Sequence, residues 1–330
     1  MDRWQTDQWK KEVYAWVETE LKLVSAELIG PGESVHLRAW STVIRFPTNV
    51  GYFYFKAGSA NQHFEARIMK KLTWVGGHLV LNPIAVNEKE GWLLFPEGGQ
   101  RLREFHSGHP VTSDWVELLG RYAQFQIEIA SYAQKLLDAG VPNRMLTSLP
   151  SEMADLLASS TLTQVANLGG LTKKELQKLK LSQSNFEALI EDLGNIGIPA
   201  SIEHGDLHDG NVFYKDNIFR IFDWGDASLS HPFFSLIVPL RVLGNYLSLE
   251  PESHPQLQWA RTAYLSAWQP LFSLEKIQEA WPLALQVGYI QRAITWYKTT
   301  VSSAEIKIEH AQSFVAWIRD FLYFPELPPE

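Results

Sequence analysis

The chain has 330 residues, about twice the usual single-domain length, so one bilobal unit or two packed domains is expected. Its 45% hydrophobic and 20% charged residues suit a globular protein with a large core, and its net charge of −8 argues against a general role on nucleic acid or anionic membrane, which calls for a basic face. Cysteine is absent, which excludes disulfides, thiolate chemistry and cysteine-based zinc sites.

The start, Met1-Asp2-Arg3-Trp4, lacks the basic-then-apolar order of a signal peptide. Apolar residues at Trp9, Val13, Trp16, Val17 and Leu21 then predict a helix over Asp7–Leu23. Three antiparallel strands are expected next. The first is Glu27 to Ile29, before a Gly30-Pro31-Gly32 turn. The second is Val35 to Phe46, and the third is Gly51 to Lys56, after a Pro47-Thr48-Asn49 turn. A helix at Gln62–Leu72 and strands near Leu79–Val86 and Gly91–Phe95 complete this half.

After Gly98-Gly99 the period is helical, most clearly over Asp114–Leu137. Between Ser151 and Leu193 two capping boxes are expected, Thr172 with Glu175 and Ser184 with Glu187. Ile202 to Phe222 reads as loop and short strands. From Phe233 on the chain is helical and carries Trp259, Trp268, Trp281, Trp296 and Trp317, which read as core. The longest apolar stretch, Phe233–Leu243, is short and contains Pro239 and Arg241, so no membrane span is expected and the protein is read as cytoplasmic.

The chemistry concentrates in His204-Gly205-Asp206-Leu207-His208-Asp209-Gly210-Asn211, followed by Ile221-Phe222-Asp223-Trp224-Gly225. Phosphoryl transfer needs one carboxylate to accept the proton of the attacking hydroxyl. It also needs oxygen ligands that hold magnesium against the phosphates. An Asp, an Asn five residues later and a second Asp after a following strand meet both needs, and this is the spacing of the protein-kinase catalytic loop. Singly, Asp206 and Asn211 would be ordinary turn residues. His204 and His208 stand four apart, but Gly205 argues against the helix that a zinc pair would use.

These two motifs resemble the aminoglycoside phosphotransferase family of the protein-kinase-like group. The family usually has Pro where this chain has Asp209. The resemblance implies an α+β fold of two lobes, with a small antiparallel-sheet N-lobe over residues 1–95 and a larger, mostly helical C-lobe over 96–330. It implies Asp206 as catalytic base, Asn211 and Asp223 as metal ligands, and ATP or GTP with Mg²⁺ as cofactors. Lys56 at the end of the third strand, and Glu65 in the helix after it, are the expected nucleotide-anchoring ion pair facing Asp223. In Trp92 to Gly99, the Phe95 carbonyl and the Glu97 amide are expected to hold the base, and Pro96 falls where a missing N–H costs nothing. Two stretches compete for the phosphate loop: Gly30-Pro31-Gly32-Glu33-Ser34, and Arg38-Ala39-Trp40-Ser41-Thr42, where Ser41 and Thr42 would touch phosphate.

The expected reaction is transfer of the γ-phosphoryl group to a hydroxyl of a small molecule, an aminoglycoside-like antibiotic or a hydroxylated metabolite. A protein acceptor is disfavoured because Asp223 to Ala227 runs through Ser228–Ser230 into an apolar helix, with no room for a long activation segment and no Ala-Pro-Glu. The acids Glu250, Glu252, Glu275 and Glu279 stand either on an acceptor pocket or on a solvated face. Two alternatives are a catalytically silent nucleotide-binding pseudokinase and a metabolite kinase of the choline or homoserine type. No partner on nucleic acid or membrane is expected.

Overall fold

Apolar side chains four residues apart make one stripe of a helix, and the first helix follows that rule. The computed structural model describes residues 2–38, 40–109, 111–247, 254–298 and 308–324. Ala39, Glu250, Glu252 and the tail from Pro325 lie outside them. Helix α1 (Asp7–Leu23) begins at Thr6, whose hydroxyl accepts from the Trp9 N–H, and buries Trp9, Val13, Val17 and Leu21. In chain order there follow β1 (Glu33–Leu37), β2 (Ser41–Thr48), β3 (Gly51–Gly58), α2 (Phe64–Gly76), β4 (Ala85–Asn87), β5 (Trp92–Pro96), β6 (Gln100–Arg101) and α3 (Leu102–Phe105). Then come α4 (Thr112–Ile129), α5 (Ala133–Asp138), β7 (Asn143–Arg144), α6 (Leu149–Ala158), α7 (Ser160–Gly169), α8 (Lys173–Leu181) and α9 (Gln183–Ile196). The remainder is β8 (Ser201–Glu203), β9 (Val212–Lys215), β10 (Ile218–Ile221), β11 (Ser228–Ser230), α10 (Ile237–Leu247), α11 (Pro255–Ser266), α12 (Leu274–Trp296) and α13 (Ile308–Leu322).

These elements form two compact units. The first comprises residues 1–111, 134–141 and 206–227. It contains a five-stranded antiparallel sheet in the order β1-β2-β3-β5-β4 and a small sheet in the order β10-β9-β6. Side chains alternate across a strand, so Phe53, Phe55 and Ala57 of β3 share one face and pack in the same core as the α1 stripe. Trp9 and Trp16 meet Phe55 and Trp92 edge-on, with ring centroids 5.6 to 6.4 Å apart. Lys56 points from the opposite face. The small sheet is tied in where Leu81 N–H donates to the Ile221 carbonyl at 2.9 Å. It also packs where Gly98 passes against the Phe213 ring, too close for any Cβ.

The second unit comprises residues 112–133, 142–205 and 228–330. It is helical around a three-stranded sheet in the order β7-β11-β8. Strand β8 is fully buried and is bonded to α4 in both directions: Gln126 Nε2 donates to the Ile202 carbonyl at 2.6 Å, and Ser201 Oγ donates to the Gln126 carbonyl at 2.6 Å. The Glu203 carboxylate accepts from Ser230 Oγ at 2.9 Å and from Gln291 Nε2 at 2.8 Å. Arg292 of α12 donates to the carbonyl of Gly205, the last residue of this unit before the 206–227 segment. Gly205 has φ +82°, a conformation that side chains resist. Trp268, Trp281 and Trp317 are buried as expected, Trp296 is half-buried, and Trp259 is exposed. Glu275 and Glu279 lie on the solvated face of α12. Among the described residues no helix is long and apolar enough to cross a membrane.

Three local expectations are corrected. Val35–Phe46 is two strands, β1 and β2, folded back at Arg38–Trp40, where the Arg38 N–H donates to the Ser41 carbonyl at 2.8 Å. The Glu27–Ile29 strand reduces to one bridge between Leu28 and Thr48, so Gly30–Gly32 lies before β1 rather than between the first two strands of the sheet. There Gly32 is a packing turn: its N–H donates to Tyr14 Oη at 2.7 Å, and a Cβ would meet Phe46. The Ser184 capping box does not form because α9 starts two residues earlier than it requires, with Ser182 at its N-cap.

The Thr172–Glu175 box is complete, and Glu175 also binds Arg319 Nε at 2.9 Å. That guanidinium, together with the Thr172 N–H, holds the Glu175 carboxyl down to about 2. A carboxylate depressed by folding stabilises the fold above its unfolded pKa and loses that contribution as pH falls through the folded one. Glu175→Gln keeps the cap and removes the charge. Urea unfolding should show a deficit of about 1 kcal/mol at neutral pH, closing as pH falls from about 4.5 towards 2.

Candidate active site

A lysine near the end of a buried strand needs compensation, because burial disfavours its charge. Lys56 is 9% exposed, and its Nζ lies 2.7 Å from both Glu65 oxygens and 2.6 Å from Asp223 Oδ1. Burial by itself would lower the ammonium pKa, but Asp223 and then Glu65 outweigh it and raise it. Glu65 is 3% exposed, and burial raises its carboxyl while Lys56 opposes that. The Trp224 N–H adds a further bond to Glu65 Oε1 at 2.9 Å. With Lys56 and this amide all donating to it, Glu65 is the carboxylate. The expected pair is therefore present, and Asp223 is bonded to the same nitrogen.

Asp223 sits at φ 66° and ψ 63°, the left-handed region, which Asp tolerates better than most side chains. That backbone turn follows β10 and leaves the side chain 49% exposed while Oδ1 keeps Lys56. It also brings the Trp224 amide onto Glu65, and the Gly225 carbonyl accepts from Gln62 Nε2 at 3.3 Å.

The loop from Asp206 to Asn211 belongs to the same unit. Asn211 Nδ2 donates to the Asp206 carbonyl at 2.9 Å and reaches its Oδ2 at 3.3 Å, which turns the amide oxygen of Asn211 away from Asp206. The Phe222 N–H donates to the Asn211 carbonyl at 3.1 Å, so Asn211 stands beside the strand end that carries Asp223. His208 Nε2 is 3.4 Å from Asp206 Oδ2, and its Nδ1 accepts from the Gly210 N–H at 2.9 Å. Burial lowers the imidazole pKa, but Asp206 and then Asp209 bring it up to about 9. Against that pull, the Gly210 N–H donated to Nδ1 requires the neutral ring, protonated at Nε2. His204 is fully buried, and its N–H donates to Tyr122 Oη at 2.9 Å within the second unit, as suits a structural residue.

Phe95 is buried in β5, opposite Tyr54, and Glu97 is exposed just beyond the strand. Strand β4 ends opposite Leu94, so the edge of Phe95–Glu97 beyond it has no β4 partner. Ser41 is buried at the start of β2, in the β1–β2 turn, so of the two phosphate-loop candidates only the second lies between the first two strands. A pocket of about 550 Å³ adjoins Pro96–Gly98, walled by Trp74, Leu81 and Arg220 but not by Lys56, Asp206, Asn211 or Asp223. Sequence reading missed Gln62, the Trp224 amide and Arg103, which bonds Asp209. It also missed His36, whose imidazole feels Asp223 and Lys56 and is lowered chiefly by burial. None of these carries a periodic signal; the departure from Pro at Asp209 was the single local hint.

Among the described residues no group of three or more His, Asp or Glu could hold a metal alone. Magnesium does not require one, since it binds through one or two protein oxygens plus phosphates and water. The half-exposed Asp223 carboxylate and the Asn211 amide oxygen are the oxygen types that such a donor set uses.

A buried pair of a Lys on a five-stranded sheet and a Glu on the helix after its strand, an Asp-and-Asn loop and a left-handed Asp after a strand define a protein-kinase-like phosphotransferase. The family model described as "Phosphotransferase enzyme family" matches residues 53–279, and the chain belongs to that family. Similar solved structures include a macrolide 2′-phosphotransferase type I, at 16% identity and TM-score 0.57, over 95% of this chain and 97% of that one. An ethanolamine kinase from Plasmodium vivax matches at 10% identity and TM-score 0.61, over 91% and 83%. A choline/ethanolamine kinase family protein from Mesorhizobium loti matches at 14% and 0.57, over 94% and 96%. No curated protein matches by sequence. At these identities the structures show the fold, the protein-kinase-like one, with a small antiparallel sheet and a mostly helical remainder.

Removing Glu65 leaves Lys56 with Asp223 alone and takes an acceptor from the Trp224 amide. Glu65→Leu alone should cost about 3 kcal/mol of unfolding free energy. Lys56→Met with Glu65→Leu should cost less than the sum of the single changes. A denaturant double-mutant cycle measures the coupling, and strict additivity would show that the pair contributes none.

Proposed function

We propose that this chain transfers the γ-phosphoryl group of ATP, or of GTP, to a hydroxyl of a small molecule. The observation that carries the reading is Lys56 Nζ bonded at once to Glu65 and Asp223, within the unit that holds the Asp206–Asn211 loop. In this reading Lys56 anchors the nucleotide phosphates, and Glu65 holds Lys56 in place. The Phe95 carbonyl and Glu97 amide receive the base, and Ser41 approaches the phosphates from the β1–β2 turn. Residues 1–95 and 96–330 are the two functional lobes. Asp223 and Asn211 would hold Mg²⁺, which neutralises charge on the phosphates when bound.

Asp206 takes the acceptor hydroxyl proton as the oxygen bonds to the γ-phosphorus and the bond to the β-phosphate oxygen breaks, releasing the nucleoside diphosphate. The short run from Asp223 through β11 to α10 leaves no platform for a peptide, which favours a compact acceptor. The relatives' names include antibiotic phosphotransferases and choline or ethanolamine kinases. Both acceptor classes, aminoglycoside-like antibiotics and hydroxylated metabolites, therefore belong in one screen with purified protein, Mg²⁺ and labelled ATP. Labelled small molecules support the reading; label on proteins alone overturns it. A silent nucleotide-binding module is disfavoured because Lys56, Glu65, Asp206, Asn211 and Asp223 are all present.

Two substitutions separate the roles. Asp206→Asn should lower turnover by roughly 10²-fold or more while nucleotide affinity stays within a few-fold. Asp223→Ala should abolish Mg²⁺-dependent nucleotide binding. Calorimetric titration with and without Mg²⁺, beside a coupled turnover assay, reads both. Unchanged turnover in the first variant, or unchanged binding in the second, removes that residue from its role.

A further inference from the structure

Asp209 is a carboxylate 4% exposed inside the loop, and something must pair with it there. Arg103 of α3 does so: its Nε and Nη2 lie 3.0 and 2.7 Å from Asp209 Oδ1. His208 Nδ1 lies 3.7 Å from the same oxygen, but it accepts from the Gly210 N–H and so brings no proton to it. Arg103 reaches further than Asp209. Its Nη2 is 3.3 Å from His208 Nδ1, and its guanidinium carbon is 3.4 Å from where a Cβ on Gly210 would stand. One side chain thus reaches two successive loop residues and occupies the space beside a third, and the first of them faces Asp206 through Nε2.

The backbone explains why a clasp is useful. His208 is extended at φ −144° and ψ 170°, and Asp209 opens the tight turn Asp209–Asn211. An extended residue followed by the first position of a helical turn is the conformation that an X-Pro pair takes by itself. With Asp at that position, no ring restricts φ, and the loop needs another restraint.

We propose that Arg103 is a positioning residue of the catalytic loop, an ionic clasp on Asp209 that holds His208 and Gly210 and through them orients Asp206. This rests on the reading of Asp206 as the base. Arg103 touches no reacting atom, and its effect belongs on kcat rather than on nucleotide affinity.

The experiment compares wild type, R103A, D209P and R103A/D209P by turnover, nucleotide titration and amide hydrogen exchange of the 204–215 segment without nucleotide. R103A should lower kcat on the order of tenfold or more, with nucleotide affinity within about twofold, and should speed loop exchange about tenfold. In the D209P background, losing Arg103 should change both by no more than about twofold, since the ring then restrains the loop. R103A indistinguishable from wild type overturns the proposal. So does an equal loss in both backgrounds, which would mark mere stabilisation, and so does failure of D209P to fold. If R103A folds poorly, R103Q keeps the stem and gives the same reading. A wild type with no turnover would overturn the phosphotransferase reading, and loop exchange would still decide the clasp.

Discussion

Placing an ammonium at the end of a buried strand is tolerable only if carboxylates come to it. Lys56 meets that condition with two of them, one from the helix that follows its strand and one from a segment 167 residues later. Burial pushes the lysine towards its neutral form, so the attraction has to be close and well directed to keep the charge. This fixes the position of α2, because Glu65 must face β3. It also fixes the chain after β10, because Asp223 must turn back and Trp224 must present its amide to the same Glu65.

The left-handed backbone at Asp223 follows from these requirements. With φ at 66° the side chain reaches Lys56 while staying half exposed, and the next amide points at Glu65. An extended residue there would send the carboxylate and that amide in other directions. Such strain persists where the surroundings over-determine it. Here the strand pairing of β9 with β10, the Phe222–Asn211 bond and the Gln62–Gly225 bond all act on the same few residues.

The second unit prepares the strand that leads into the loop. Strand β8 carries a buried carboxylate, Glu203, matched by serine hydroxyls and Gln291. Gln126 and Ser201 bind reciprocally to the backbone of β8 and α4. Gln291 Oε1 finds no partner in this network, but the bonds that do form leave β8 few alternative arrangements.

Short-range order was legible in the residues themselves. The α1 stripe, the Thr172–Glu175 box and the five-residue spacing of Asp206 and Asn211 are patterns within a short stretch of chain, where neighbouring side chains decide the outcome. The same kind of reading failed at Ser184, whose signal was as good as that of Thr172, because the start of α9 was decided by packing. It failed at Val35–Phe46, because a continuous run of β-formers does not say where it folds back. The pairing of Lys56 with Glu65 was within reach of sequence, since nine residues separate them. The bonds of Glu65 to Trp224 and of Arg103 to Asp209 were not. They join residues more than a hundred positions apart, where charge leaves no periodic trace, and only the folded chain brings these groups within hydrogen-bond distance.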